Sequence, residues 1–456
     1  MFLGTKIYLF SDGMALPLQH KKHIYIMSKT FLYFICCVSA MGGLLFGYDW
    51  VVIGGAKPFY ELYFGIEQTP TLQGLAMTTA NIGCLAGAMV AGAMADRFGR
   101  RPLLQLAALL FTTSALATGL FNDFTLFNVA RFIGGIGIGV ASALSPMYIA
   151  EVAPAHIRGR LVSLNQMTIV LGILAAQIVN MLLAEPIDTS LGREELLSTW
   201  NVAEGWRWMF WAETLPAALF LIMSFFITES PVYLRMRESR RNGERSQSAQ
   251  AAGLRELFQP QYARVLLLGL VIALFQQWCG TNVIFNYAQE IFQGAGYPVD
   301  GMFINIVITG IANVLFTFIA LYTVERWGRR WLMLIGSLGL GLIYLTLGTC
   351  YYFHVEGVLM VVLVVMGISC YAMTLAPVTW VLLSEIFPNR IRGIAMATCT
   401  FALWTGCCTL TYTFPVMNAH LGSYGSFWTY ALICLAAFVF LYHRCPETKG
   451  KQLEEN

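Results

Sequence analysis

The sequence predicts an all-α polytopic membrane protein of twelve transmembrane helices in two six-helix repeats. Three observations predict it. Charge is scarce: of 456 residues, 57% are hydrophobic and only 12% charged, where soluble domains carry about 25%, and the mean hydropathy is +0.64. The apolar residues are gathered into twelve stretches long enough to cross a bilayer. Loop motifs from the first six stretches then recur among the last six.

The stretches fall near 31–56, 73–95, 102–121, 124–147, 160–183 and 206–228, then 262–290, 301–323, 331–353, 357–383, 394–417 and 424–443. Residues 229–261 break the series with a polar run that holds Arg235, Arg237, Arg240, Arg241, Arg245 and Arg255. The chain therefore divides into a terminal segment 1–29, a six-helix half 30–228, a linker 229–261, a second half 262–445 and a tail 446–456. Met27-Ser28-Lys29-Thr30 reads as an ordinary start before the first span, and residues 1–26 as an extension. That extension has no signal-peptide pattern, because its apolar stretch is short and runs into His20-Lys21-Lys22-His23.

Short cytoplasmic loops collect Lys and Arg. Alternate loops here place 24 of the 28 basic residues on one side, leaving Lys57, Arg193 and Arg207 opposite and Arg131 inside a span. Both termini are expected on the cytoplasmic side of a plasma (inner) membrane.

The repeat is specific in register. Asp96-Arg-Phe-Gly-Arg-Arg101 after span 2 returns as Glu325-Arg-Trp-Gly-Arg-Arg330 after span 8. Glu151-x-x-Pro154-x-x-x-Arg158-Gly159 after span 4 returns as Glu385-x-x-Pro388-x-x-x-Arg392-Gly393 after span 10. Parallel repeats about an axis normal to the membrane are a transporter architecture, with the substrate site at their interface. Positive-inside topology accounts for the arginines of these loops but not for the repeated acids. Glu151 and Glu385, set beside Arg97, Arg101, Arg158, Arg326, Arg330 and Arg392, are read as a cytoplasmic charge latch, which only a network could make effective.

Other classes are excluded by what is missing. A net charge of +3 gives no footprint for nucleic acid. The eleven cysteines lie almost all in apolar runs without metal-ligand spacing, so small apolar packing is expected and no metal or cofactor. Gly134-Gly135-Ile-Gly137-Ile-Gly139 has no preceding strand and no P-loop lysine, and reads as close helix packing. No catalytic set is distinguishable, so no enzyme is expected.

Three ionisable residues are placed within spans: Asp49, Arg131 and Glu213. Each costs about 2.5–3.5 kcal/mol on the insertion scale at mid-bilayer. A static buried ion pair explains them poorly, since such a pair is often no more stable than a hydrophobic replacement. An acid drawn to its charged form by an arginine and to its neutral form by burial can change protonation when a conformational change alters one influence. In span 5, Gln166 and Gln177 stand eleven residues apart, about 20° around a helix, with Asn180 close to the same line. Such a stripe faces protein or water rather than lipid. In span 7, Gln276, Gln277 and Asn282 cannot converge on an ideal helix, but Gly280-Thr281 offers a break that would redirect Asn282.

The repeated loops resemble those of the sugar porter family of the major facilitator superfamily. So do Gly42-Gly43-Leu-Leu-Phe46-Gly47-Tyr48-Asp49, Arg131-Phe-Ile-Gly-Gly-Ile-Gly, Gln276-Gln277-x-x-Gly280-x-Asn282 and Pro446-Glu447-Thr448-Lys449-Gly450. The order of these motifs covers nearly the whole chain, and the pattern is nearest to bacterial D-xylose–proton symporters, then to glucose facilitators. The resemblance implies the major facilitator fold, extra cytoplasmic helices built partly from 229–261, and proton-coupled import of a monosaccharide by a monomer in the lipid bilayer. It implies that Asp49 carries the proton, that Arg131 tunes it and that Glu213 assists. Facilitators of the family have Asn at the Asp49 position. It further implies sugar ligands at Gln166, Gln276, Gln277, Asn282, Asn313 and Trp380; for any one amide, interhelical bridging is the competing reading.

Three departures leave the sugar open between a pentose such as xylose or arabinose and a hexose. The xylose-symporter pattern has Gln at Ile173, Tyr at Asn286 and Gln at Leu403, and Ile173 matches the glucose facilitators. Losing hydrogen-bonding partners shifts selectivity strongly. Two alternatives stand beside symport: an uncoupled facilitator, opposed by Asp49, and a sugar sensor of the same fold, a class with long signalling tails where this chain has residues 446–456 after its last span.

Overall fold

The computed structural model describes residues 28–154, 156–186, 191–242, 257–388 and 391–448, less the side chains of Ala93, Asp300 and Glu325. The extension 1–26, the linker arginines Arg245 and Arg255, and Arg390, Lys449 and Lys451 lie outside that description. In the first half, α1 (Lys29–Phe64), α2 (Pro70–Phe98), α3 (Arg100–Leu120), α4 (Phe124–Val152) and α5 (Arg158–Leu183) each make one crossing. A short α6 (Arg193–Ser198) and a π-turn (Asn201–Gly205) lead into α7 (Trp206–Ser224), and α8 (Pro231–Arg241) begins the linker. The second half opens with a broken span: α9 (Pro260–Trp278), α10 (Thr281–Asn286) and α11 (Ala288–Gly294). Then come α12 (Val299–Trp327), α13 (Arg329–Tyr352), α14 (Val358–Met373), α15 (Leu375–Ile386) and α16 (Arg392–Arg444).

The count of twelve crossings follows once two elements are read physically. At 53 residues and 1.5 Å per residue, α16 is about 80 Å long, far more than the ~30 Å hydrocarbon core. It turns at Gly422, whose φ is 67° and ψ 174°, and so supplies two crossings. The π-turn with α7 supplies the sixth.

Sequence sets the ends of these helices. The Ser28 hydroxyl accepts from the Phe31 N–H at 3.2 Å and Asp123 accepts from the Leu126 N–H at 2.9 Å, each an N-cap. Gly65 closes α1 in the left-handed region. The glycine-rich stretch of α4 is a packing face, as expected. Gly135 lies against Ala80 of α2 so closely that a Cβ would sit 2.8 Å from the Ala80 carbonyl carbon. The two halves meet along α5 with α12 and α2 with α16, where Asn81 donates to the Thr411 hydroxyl at 3.2 Å.

One boundary differs from expectation with consequences. The first helix runs on to Phe64 rather than stopping near 56, so Lys57 is not a loop residue. It is 2% exposed and flanked by Glu61, 6% exposed. The helix continues because each charge finds a partner inside the protein.

Candidate functional site

At the centre of the first half, α1, α4 and α7 bring Asp49, Arg131 and Glu213 together at 3%, 2% and 1% exposure. Arg131 Nη1 donates to Asp49 Oδ1 and forms its ion pair. Nη2 donates to the Asp49 carbonyl at 3.2 Å, and the guanidinium lies 5.4 Å from the Phe210 ring centroid. The Glu213 carboxyl faces that of Asp49 within hydrogen-bonding range. Asp49 Oδ2 and Glu213 Oε1 are buried with no other partner. Two buried carboxyls thus lie beside one arginine, whose ion pair is with Asp49.

The break in span 7 is where the sequence places it. Gly280 takes φ 85°, a left-handed conformation that separates α9 from α10. The break lets three amides that diverge on a straight helix form a chain: Asn282 donates to Gln277, Gln277 to Gln276, and Gln276 to the Tyr371 hydroxyl at 2.7 Å. Tyr371 of α14 was missed by the sequence reading, because a tyrosine in an apolar span carries no distinguishing pattern. Gln166, Asn313 and Trp380 are not hydrogen-bonded to this chain among the described residues. Gln166 is half-buried, Asn313 buried and Trp380 39% exposed. Of the span 5 stripe, Asn180 donates to the Val52 carbonyl at 3.2 Å and is a packing amide. Ile173 and Leu403 are buried apolar contacts.

The repeated loops lie on one face, here the basic face, and build the same device twice. Arg100 grips Glu151 at 2.9 Å, and Arg329 grips Glu385 at 3.1 Å. The Ser230 hydroxyl donates to Glu151 and the Thr448 hydroxyl to Glu385. Glu229 accepts the N–H of Arg100 at 2.9 Å, and Glu447 that of Arg329 at 3.0 Å. The pairing differs from the arginines named by sequence. The arginines that hold the acids are Arg100 and Arg329, each turned inward at the first residue of its helix. Each acid is held within its own half. The expected partners stand elsewhere: Arg101 donates to the Phe225 carbonyl, Arg330 to that of Tyr442 and Arg392 to that of Phe387. Arg97 stacks on Phe98, and Arg158 and Arg326 are exposed.

On the opposite face the halves are clasped. Lys57 of α1 pairs with Glu290 of α11 across the interface and with Glu61 of its own helix at 2.9 Å. Gly54 packs on the backbone of Asn286, where a Cβ would lie 2.9 Å from the carbonyl oxygen. The sequence reading omitted this cluster, because it put Lys57 and Glu290 at span ends where charge is unremarkable.

Twelve helices in two repeats, with a buried two-acid cluster in one half and a broken amide-bearing helix in the other, define a membrane transporter. The chain belongs to the sugar transporter family: residues 35–456 match the family model described as "Sugar (and other) transporter". It is 36% identical to the D-xylose-proton symporter of Escherichia coli K12, over 94% of this chain and 95% of the relative. It is also 36% identical to the arabinose-proton symporter of Bacillus subtilis, with the same shares covered, and 32% identical to the glucose facilitated diffusion protein of Zymomonas mobilis, over 92% and 96%. Among solved structures, the inward-open xylose transporter XylE of E. coli superposes with a TM-score of 0.80 at 36% identity, over 93% of this chain and 98% of that one. A POT-family transporter at 14% identity and a TM-score of 0.67 shares the fold alone.

Proposed function

We propose that this protein imports a monosaccharide together with a proton by alternating access, a pentose such as xylose or arabinose, or a hexose. The observation that carries the coupling is the pair of buried carboxyls, Asp49 ion-paired to Arg131 and Glu213 beside it. A carrier of a neutral sugar has no need of ions at mid-membrane, where each is costly. A proton carrier needs an acid whose surroundings change between states. The relatives named as xylose-proton and arabinose-proton symporters support the same reading.

The sugar is held between the halves by Gln276, Gln277 and Asn282, completed by Gln166, Asn313 and Trp380. An amide chain with Tyr371 presents paired donors and acceptors to hydroxyls, and the Trp380 ring a face to C–H groups. The basic face is cytoplasmic in a plasma (inner) membrane, both termini lie there, and the monomer is the working unit. The Lys57–Glu290 clasp then closes the outer side while each cytoplasmic latch stays within its own half, an inward-facing arrangement.

The test is a sugar panel on purified protein in liposomes, with and without an imposed pH gradient. Uphill accumulation that follows the gradient is expected. Exchange of sugar without any gradient-driven accumulation would replace symport by facilitated diffusion.

A further inference from the structure

The Lys57 cluster does more than hold the halves together, because it walls a cavity. Between α1, α2, α11 and α16, a cavity of about 620 Å³ opens on the face opposite the arginine loops. Lys57, Glu61, Gln289, Glu290, Gln293 and Asn418 line it. Its size falls in the ~300–1,000 Å³ range of small-ligand sites. Gln289 is 1% exposed, and both atoms of its amide lack a hydrogen-bond partner. A buried amide left unmade costs about 1–3 kcal/mol, so its place on the wall calls for a ligand.

We propose that this cavity is an outer binding site for the transported monosaccharide, separate from the amide chain at mid-membrane. The inference rests on the sugar-transport reading above. Carboxylates and amides are suited to neighbouring hydroxyls, since one carboxylate accepts from two of them. A second cation is disfavoured, because the ammonium of Lys57 already sits between the two carboxylates. Gln289 lies seven residues beyond Asn282, about 10 Å of helical rise toward the outer face. A sugar bound there waits one step from the central amides.

The site also couples to the clasp. Lys57 holds one carboxylate from each half. When the halves part on this face, it keeps Glu61 and releases Glu290, which is then free to accept sugar hydroxyls. A sugar bound to Glu290 competes with the cross-half ion pair and favours opening.

The test uses the whole protein in oriented vesicles, with half-saturation measured separately from each face using xylose, arabinose and glucose. Gln289→Leu preserves volume and removes the unpartnered amide, so folding should be unaffected. It should raise the half-saturation concentration from the outer face about five- to tenfold and leave the cytoplasmic-face value unchanged. Glu290→Gln also releases the Lys57 clasp, so Gln289→Leu, which leaves that ion pair intact, is the variant that separates a binding site from a gate. Gln277→Ala, at the centre, should weaken both faces. Values unchanged on both faces, or displaced in opposite directions as a mere shift of the gate would give, overturn the outer site. Failure of the unmodified protein to move any sugar would instead overturn the functional reading beneath it.

Discussion

Replacing Asp49 by Asn separates proton coupling from simple packing. Asn mimics a permanently protonated acid of the same size. If one proton accompanies one sugar, a gradient of one pH unit supplies about 1.4 kcal/mol, which sustains roughly tenfold sugar accumulation. The variant should hold the sugar ratio at one while still exchanging labelled sugar across the membrane. Stability is the second readout. A buried charge stripped of its partner typically costs about 3–5 kcal/mol, and Arg131 is 2% exposed. Yet Glu213 already faces Asp49, and the Asp49 carbonyl stays 3.2 Å from Arg131 Nη2. Glu213 should therefore take the guanidinium, and the folded yield should be nearly kept.

The double variant Asp49→Asn, Glu213→Gln leaves Arg131 with no carboxylate and should lose folded yield, seen as a fall in thermal midpoint in detergent. Accumulation and exchange in liposomes with an acidic exterior form the primary assay. Concentrative uptake by Asp49→Asn would refute the coupling role. Loss of yield and of every transport mode in that single variant would instead make the pair a packing element.

Gly280→Ala places a side chain at φ 85°, with its Cβ 2.8 Å from Tyr430; a backbone cost of about 1–2 kcal/mol plus overpacking should lower the thermal midpoint and weaken sugar binding. Glu447→Ala removes carboxylate bonds to the Arg329 and Arg330 N–H groups, each about 1.5 kcal/mol at the weak end for a half-exposed group, and should lower the midpoint, whereas Glu447→Gln should restore part of it. Ile173→Gln or Leu403→Gln puts an amide at a position 8% or 4% exposed; it should destabilise the sugar-free protein by about 1–3 kcal/mol and change the pentose-to-hexose preference about tenfold or more in a competition panel. Trp404→Ala should lower the number of protons moved per sugar more than it lowers sugar affinity, as measured by parallel pH and sugar fluxes.

The fold was legible because bilayer crossing leaves a coarse, redundant trace in sequence: long apolar runs, a basic bias of alternate loops and a repeat in register. The span 7 break was legible for a local reason, since Gly280 stands where three amides could not otherwise meet. Pairing was harder to read. Arg97, Arg100 and Arg101 look alike in a loop, and only the turn at Gly99 decides that Arg100 faces inward to Glu151. Lys57 and Glu290 were invisible for another reason. They are 233 residues apart on segments whose apolar stretches end near them, and only the approach of α1 to α11 makes a buried pair of two ordinary span-end charges. Tyr371 shows the same limit, because aromatic residues abound in spans whether or not their hydroxyls matter.

The placement of the two sets of residues constrains how coupling must travel. Asp49, Arg131 and Glu213 all belong to the first half, whereas five of the six proposed sugar residues, all but Gln166, belong to the second. A proton bound in one half can affect a sugar held by the other only through contacts that cross the interface. One such contact, beside Asp49 in sequence, is aromatic. Trp50, the residue after Asp49, meets Trp404 at 5.9 Å between centroids, and Phe46 meets both rings at 5.8 Å and 6.1 Å. Trp404 follows Leu403, a buried neighbour in the same helix. Packed rings are nearly incompressible, so a change at Asp49 that shifts α1 must displace Trp404 or part from it. In the proposed mechanism these rings are the route between proton cluster and sugar wall, and a double-mutant cycle between Asp49 and Trp404 measures the link.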